Sequence, residues 1–174
     1  MNNTISAIDS KSIPTDLFNT KLVFEKVDLE LAHLQKEEES DEYSAFRFSL
    51  NNKKICYREA KITPTKTGQF VTLWKRNVSG IIEPFDYTDN IDFVIVSVRK
   101  EDKWGQFIFP KKTLLEKGVF STKKKEGIRA TRVYPPWDET KSKQAQKTQK
   151  WQLDYFFDFS KNQIDSDQLK NIFV

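Results

Sequence analysis

The sequence predicts an α/β protein, a single domain with a central mixed β-sheet flanked by helices. Three observations lead to this prediction. The length of 174 residues suits one domain with a real hydrophobic core, apolar residues near the N-terminus recur at helical spacing, and several short runs further on are rich in β-branched and aromatic residues. We expect residues 1–13 to be a flexible segment and residues 14–174 to form the domain.

The N-terminal part predicts one amphipathic helix followed by a β-hairpin. The helix is predicted to begin near Pro14 and to continue toward the acidic residues 37–39. Residues 43–50 and 53–62 flank Asn51-Asn52, a pair that tolerates positive φ and suits a tight turn between two strands. The apolar residues at helical spacing are Leu17, Phe24, Val27, Leu31 and Leu34.

The segment after the hairpin has two interpretations. Thr65 or Thr67 can cap a helix that ends near Arg76, which is the prediction we adopt, although Val71 and Thr72 leave a strand possible. The hydrophobic patterns beyond it are clearer. They predict strands at residues 91–98, 104–109 and 128–133, a short helix at 111–117 ended by Gly118, and a last helix at 141–157.

Basic side chains are concentrated in the middle of the chain. Residues 1–60 carry a net charge of −3, residues 61–150 carry +9 and residues 151–174 carry −2. This density suits a polyanion such as nucleic acid, and interleaved aromatic residues can stack on unpaired bases. The alternative is a solvated lysine face beside core aromatics. The candidate nucleic-acid-binding residues are Lys61, Lys66, Lys75, Arg76, Lys111, Lys112, Lys123, Lys124, Lys125, Arg129, Arg132, Tyr134 and Trp137.

The rare residue types argue against several classes of protein. Cys56 is the one cysteine, so an internal disulfide is excluded, and its place in a predicted strand indicates a buried, inert thiol. His33 is the one histidine, which argues against a His-based metal site or a Ser-His relay. The N-terminal residues lack the pattern of a signal peptide, and the apolar runs are too short to span a membrane. We expect a cytoplasmic protein without membrane contact.

Glu59 and Lys61 are candidates for a catalytic site. Two residues apart on a strand, they project from the same face, and charges on an otherwise apolar strand are costly to bury unless they are used or paired. With a two-residue turn, Lys61 faces Glu42 across the hairpin and Glu59 faces Ser44. A one-residue slip would bring Asp41, among others, opposite Lys61. The alternative is a surface ion pair between Lys61 and Glu42 of little consequence.

Five longer, aromatic-rich segments are distinctive: GQFVTLWKR (68–76), PFDYTDNIDFVIV (84–96), GQFIFPK (105–111), RVYPPW (132–137) and TQKWQLDYF (148–156). Together they resemble the MepB family of small bacterial cytoplasmic proteins, which is known mainly from a multidrug-efflux operon. The resemblance covers roughly residues 40–157. It implies a restriction-endonuclease-like α/β core of the PD-(D/E)xK type, in which an acid near one strand and a Glu-x-Lys on its hairpin partner form a metal-dependent nuclease site.

By this resemblance, Glu59 would bind Mg²⁺ or Mn²⁺, and Lys61 would orient the attacking water or stabilise the developing charge. Glu42 or Asp41 would supply the second acidic ligand, although the Pro-Asp pair of the PD-(D/E)xK pattern is absent there. Gln69, on the predicted next helix, would complete the pocket.

The sequence therefore leads to two functional hypotheses. The first is a nucleic-acid-binding protein with a possible metal-dependent nuclease site, since many proteins of this fold keep the shape and lose the chemistry. The second is a non-enzymatic protein that binds a partner or a small ligand, in which residues 134–137 and Trp104 line an apolar groove.

Overall fold

Residues 12–161 and 164–174 are described by a computed structural model of the chain. Most of the N-terminal segment expected to be flexible, residues 1–11, lies outside them. No helix of the described residues is long and apolar enough to cross a membrane. The elements are α1 (Thr15–Lys26), β1 (Leu31–Lys36), β2 (Phe46–Leu50), β3 (Lys53–Glu59), β4 (Lys61–Thr63), β5 (Lys66–Thr72), β6 (Trp74–Arg76), β7 (Ile82–Pro84), β8 (Phe93–Lys100), β9 (Lys103–Pro110), α2 (Lys111–Glu116), β10 (Ala130–Val133), α3 (Lys143–Gln152), β11 (Phe156–Asp158) and α4 (Ser166–Ile172).

The centre of the protein is a six-stranded mixed sheet in the order β1-β2-β3-β8-β9-β11, which confirms the predicted α/β class. Its neighbouring strands are antiparallel except β3 and β8, which run parallel. A parallel pair requires the chain to cross from the end of one strand to the start of the next. Residues 60–92 make this crossing through four short strands, which lie in a three-stranded sheet (β10-β5-β4) and a two-stranded sheet (β6-β7).

Both faces of the central sheet are covered, because alternate side chains of its middle strands point to opposite sides. On one face, Ile95 and Ile108 pack with apolar residues of α1 and α4. On the other face, Val96 and Phe107 pack with the small sheets and the region around α3. Polar residues that interrupt these rows are therefore held in fixed positions beside a packed core.

The first helix is shorter than its apolar spacing predicts. It ends at Lys26, and Asp28 has a φ of 60°, a left-handed conformation that turns the chain. Leu31 and Leu34, which we placed in the helix, instead lie in the edge strand β1, paired antiparallel with β2. Strand pairing with a distant segment overrides the local helical spacing, which is a weak preference by comparison.

Residues 66–72 form β5 and not the predicted helix, so the strand indicated by Val71 and Thr72 is the correct alternative. Gly68 has a φ of 83°, which no helix contains, and a Cβ at this position would lie 2.6 Å from the ring of Tyr134. The predicted last helix is also too long: α3 ends at Gln152, and the chain re-enters the central sheet as β11.

The core strands and the short helix were predicted at nearly their observed positions. Each hairpin strand is three residues shorter than predicted, because β2 begins at Phe46 and not at residue 43, and β3 ends at Glu59 and not at residue 62. Leu50 pairs with Lys53, as a two-residue turn requires, and Asn51 has a φ of 51°. Gly118, with a φ of 74°, follows α2. Cys56 is a fully buried free thiol, as its position in the strand predicted.

Candidate functional site

Glu59 lies at the C-terminal end of β3 and accepts hydrogen bonds from Tyr57 Oη, at 2.8 Å, and from Ser44. Ser97, its neighbour on β8, hydrogen-bonds to the Tyr57 hydroxyl and accepts from Trp104 Nε1 at 2.9 Å. Burial raises the pKa of Glu59, although the hydrogen bonds from Tyr57 and Ser44 act to lower it. The carboxylate is thus fixed at the end of a hydrogen-bonded chain that crosses the sheet.

Two charged residues that the sequence did not single out lie near this carboxylate. Arg99, at the end of β8, donates to Asp16 of α1 from Nη2 at 2.7 Å and from Nε at 3.1 Å. Burial and the two hydrogen bonds have the largest effects on the pKa of Glu59. Next in size are two charges: the Asp16 carboxylate raises this pKa, and the Arg99 guanidinium lowers it. Gln69 is buried in β5 and donates to the Arg99 carbonyl at 3.3 Å. Asp16 and Arg99 are 83 positions apart, so no local pattern links them.

Lys61 does not face Glu42, so the predicted cross-strand pairing is wrong. The ladder between β2 and β3 ends at the pair Phe46–Tyr57. The chain then enters the second sheet, where Lys61 pairs with Phe70. The Lys61 side chain is exposed to solvent. Its Nζ lies 5.0 Å from the ring centroid of Tyr43, a cation–π distance.

The two candidates for the upstream acidic ligand, Glu42 and Asp41, are exposed in a 3-10 turn before β2. Asp41 pairs with Lys36 at 2.8 Å. Within residues 12–161 and 164–174, no three Asp, Glu, His or Cys side chains converge as metal ligands. As placed, the carboxylates near Glu59 do not fit a resident metal centre, and Mg²⁺- or Mn²⁺-dependent cleavage stays a prediction from the resemblance.

Some of the candidate nucleic-acid-binding cations are already used by protein groups. Lys75 is half-buried and bonds the carboxylates of Asp86 and Asp89 at 2.9 and 2.8 Å. Arg132 donates to Thr63 Oγ1 at 2.8 Å and stacks on Phe70. The others in this group and their partners are Arg76 with Glu39, Lys111 with the Asp89 carbonyl, Lys112 with Glu116 at 3.9 Å, and Arg129 with Glu126 at 2.9 Å.

The remaining candidate cations, Lys61, Lys66 and the three lysines 123–125, are exposed. They belong to a wider group, because every lysine between residues 117 and 150 is exposed, and none of them forms a salt bridge with another residue that the structure describes. We call these eight residues the basic surface. They are Lys117, Lys123, Lys124, Lys125, Lys141, Lys143, Lys147 and Lys150.

Four members of the basic surface, the lysines of residues 141–150, were missed in the sequence. A pattern was available to find them, since residues 141–152 contain four lysines and no acidic residue. Lys117 Nζ lies 5.6 Å from the ring centroid of Trp151, which places the end of α2 against α3. Lys117 therefore lies beside α3, whereas Lys123 Nζ lies 5.8 Å from the ring centroid of Tyr87.

A cleft of about 520 Å³ lies between the β4–β5 hairpin, the end of β8 and the loop before α3. Its walls carry three cations from three elements, Lys66, Lys100 and Lys141, two carboxylates, Asp138 and Glu139, and threonine hydroxyls. Lys100 forms a salt bridge with Asp138 at 3.7 Å. Trp137 also lines the cleft, and its Nε1 is buried with no hydrogen-bond partner among the described residues. Lys141, the member of the basic surface just before α3, therefore lines this cleft.

Two glutamines of α3 hold the loop that forms one wall of the cleft. Gln149 Nε2 donates to the carbonyls of Pro135 and Asp138, both at 3.0 Å. Gln152 accepts from the Tyr134 backbone N–H at 2.9 Å and donates to the Arg132 carbonyl at the same distance. These bonds tie the backbone on both sides of Trp137 to α3.

A second cleft, of about 460 Å³, lies between the end of β1, β2 and β6, but its cations are engaged. Arg58 is 0% exposed and pairs with Glu37 at 3.0 Å. Arg47 also pairs with Glu37, and both guanidinium groups lie over the ring of Phe85. This cluster supports the fold rather than offering free charge to a ligand.

The fold and the site define an α/β protein with a mixed central sheet and a polar cleft lined by the exposed lysines Lys66 and Lys141. The MepB-like family matches residues 37–158, and the chain belongs to this family. A solved structure described as the crystal structure of MepB is similar, with 34% sequence identity and a TM-score of 0.76 over 86% of this chain and 99% of that one. The comparison with curated proteins found no match. The family resemblance seen in the sequence is therefore confirmed.

Proposed function

We propose that the protein binds nucleic acid through the basic surface. The observation that carries this proposal is that all eight of its lysines are exposed and without a salt bridge to any other described residue. Elsewhere in the chain, lysines such as Lys21, Lys75 and Lys170 pair with nearby carboxylates. Exposed ammonium groups that no protein carboxylate neutralises are the groups that can replace the counterions of a phosphate backbone.

The shape and charge of this region support the proposal. Residues 111–152 carry twelve basic and four acidic side chains, a net charge of +8. Two of those acids, Glu116 and Glu126, already pair with Lys112 and Arg129. Helix α3 is about 15 Å long at 1.5 Å per residue, so its lysines can contact several successive phosphates.

We also propose that the core belongs to the restriction-endonuclease-like class. The core begins with α1 and the antiparallel strands β1, β2 and β3, and the chain later returns as β8, parallel to β3. This order of elements supports the assignment to that class. Glu59 lies where the parallel pair ends, an edge at which open α/β sheets commonly bind ligands. If the chemistry is retained, purified protein cleaves DNA or RNA in Mg²⁺ or Mn²⁺ and the Glu59→Gln variant does not. Equal cleavage by both proteins would assign the activity to a contaminant.

The alternative of an apolar interaction groove is not favoured. Trp104 is 8% exposed and packs on the α1 face of the sheet, whereas Trp137 packs on the opposite face against Phe156. The two tryptophans therefore do not line one groove, as that hypothesis requires.

The test is binding of labelled DNA and RNA, single- and double-stranded, measured by fluorescence anisotropy at several salt concentrations. We expect affinity to fall more than tenfold between about 50 and 200 mM salt, because bound lysines release condensed counterions. Changing Lys143, Lys147 and Lys150 together to Gln should reduce the slope of log affinity against log salt by about 2–3.

The matched control changes three lysines outside the basic surface, Lys26, Lys54 and Lys103, to Gln, which alters the net charge equally. These residues are exposed and lie on other elements. The slope of the control should stay close to that of the wild type. Absent binding at low salt would refute the proposal, and equal losses in both triple variants would mean that only net charge matters.

A further inference from the structure

Two carboxylates and a guanidinium come together where β3 and β8 end. Glu59 pairs in register with Ser97 of β8, and Arg99 lies two residues further along that strand, so its side chain leaves the same face of the sheet as that of Ser97. Asp16, in the first turn of α1, accepts from Arg99 through three contacts of 2.7, 3.1 and 3.2 Å. The carboxylate of Asp16 is therefore engaged by a guanidinium beside Glu59.

Asp16 is the acid best placed to share a metal ion with Glu59. Of the acidic groups, its charge acts most strongly on the pKa of the Glu59 carboxyl. A divalent cation such as Mg²⁺ is bound through oxygen ligands, of which one or two are commonly carboxylates. Both Asp16 oxygens instead accept hydrogen bonds from Arg99. The pair of acids that could hold an ion is thus already bound to a cation of the protein itself.

Contacts besides the ion pair hold Arg99 in this position. Its guanidinium lies 5.3 Å from the ring centroid of Trp104, a cation–π distance, and its carbonyl accepts from Gln69 Nε2 at 3.3 Å. Trp104 is fixed in turn by its hydrogen bond to Ser97. Arginine stays protonated throughout the pH range in which proteins fold. A divalent cation would therefore meet both a competitor for the Asp16 oxygens and a like charge.

We propose that the Arg99 guanidinium takes the place of a divalent cation at this end of the sheet. It offsets the charges of Asp16 and Glu59 and excludes Mg²⁺ and Mn²⁺ from them. The inference does not depend on nucleic-acid binding by the basic surface. Its consequence is that the two carboxylates hold a metal ion once the charge of Arg99 is removed, whereas the wild-type protein has no metal-dependent cleavage at this site.

The experiment titrates Mn²⁺ into the full chain and measures the free ion by electron paramagnetic resonance. Arg99→Gln removes the charge and keeps a polar side chain, and Arg99→Lys keeps the charge. The matched control is Arg76→Gln. Arg76 also pairs with a glutamate, Glu39, and also lies over a tryptophan ring, that of Trp74, at 5.5 Å. The side chains of Arg76 and Arg99 are 48% and 43% exposed, so the two changes remove comparable charges.

We expect Arg99→Gln to bind one Mn²⁺ with a Kd on the order of 0.1–1 mM, the range of weak sites built from oxygen ligands. Wild-type protein, Arg99→Lys and Arg76→Gln should bind at least about tenfold more weakly, because each keeps a cation beside Asp16. Adding Asp16→Asn or Glu59→Gln to Arg99→Gln should abolish the gain. Melting curves check that each variant is folded. Arg99→Met, which keeps an apolar stem over the Trp104 ring, repeats the test if the glutamine variant is unstable.

Three results would overturn the inference. The first is Mn²⁺ binding by the wild-type protein that Glu59→Gln abolishes, because the site then accepts a metal beside Arg99. The second is a lack of binding in both uncharged Arg99 variants, which would mean that the guanidinium is not what excludes the ion. The third is a gain of equal size in Arg99→Lys or Arg76→Gln, which would show that the local charge at this position does not decide the outcome.

Discussion

Removing the charge of Glu37 should strongly destabilise the protein, because this carboxylate neutralises the buried guanidinium of Arg58. Arg58 is 0% exposed, and its Nη2 and Nη1 donate to the two Glu37 oxygens at 3.0 and 3.3 Å. Its further acceptors are the carbonyls of Tyr57 at 2.9 Å and Thr72 at 3.3 Å, which carry no net charge. Glu37→Gln keeps the size of the side chain and leaves the cation buried without a countercharge.

Breaking a buried ion pair by removing one partner costs about 3–5 kcal/mol. We expect the lower end, about 3 kcal/mol, because glutamine keeps one acceptor oxygen and the Glu37 side chain is 18% exposed. For a chain of this length, that corresponds to a fall in melting temperature of about 6–12 °C.

Urea unfolding followed by tryptophan fluorescence measures the change in the free energy of unfolding. The matched control is Glu38→Gln, since Glu38 is an exposed neighbour and its change should stay within about 0.5 kcal/mol of the wild type. Adding Arg58→Met to Glu37→Gln should recover part of the loss, because the unpaired charge is then removed as well. A Glu37→Gln protein within about 0.5 kcal/mol of the wild type, with an unchanged urea dependence, would refute the reasoning.

The other predictions concern pH and backbone conformation. Burial raises the pKa of Glu59 from 4.5, so the folded protein keeps this proton to a higher pH than the unfolded chain does. The free energy of unfolding should therefore fall as pH rises through that range. Urea unfolding at several pH values should show this fall in the wild type and not in Glu59→Gln. Asp86 acts in the opposite direction. Burial would raise its pKa, but hydrogen bonds from Thr88 and Lys75 outweigh burial and lower the pKa from 3.8 to about 2. The stabilisation by the Asp86 carboxylate should be lost as pH falls through that range, and it should be absent in Asp86→Asn. Gly68→Ala should lower stability by more than about 1 kcal/mol in thermal unfolding, since it combines a φ of 83° with a ring clash, whereas Gly80→Ala, at a φ of 78° in open space, should cost less; equal costs would show that the clash is relieved.

Local patterns predicted the elements that local physics decides. The Asn51-Asn52 turn fixed the hairpin and its register, because a two-residue turn leaves one way to pair the strands. The same kind of reasoning failed at Leu34 and at Gly68, where the sequence spacing favoured helices. There, pairing of β1 with β2 and of β5 with β10 decided the conformation, and such pairing depends on segments far apart in the chain.

The candidate site was predicted in part. Glu59 was identified because a charge at the end of an apolar strand is unusual. Its predicted neighbour Ser44 does contact it, through a side-chain hydrogen bond beyond the end of the β2–β3 ladder. Asp16, Arg99 and Ser97 were not identified, because only the parallel pairing of β3 with β8 and the placement of α1 bring them near Glu59.

The sequence by itself determined the family, the α/β class and the concentration of positive charge in the middle of the chain, since charge density is a sum over residues and needs no geometry. Only the tertiary structure decided which cations are free. Lys75 is close to two carboxylates and is neutralised by them, whereas Lys143 and Lys147, on a helix without acidic residues, remain unpaired among the described residues. The reason is that an ion pair requires two groups within a few ångströms of each other, and that distance is set by how the chain folds and not by the order of its residues.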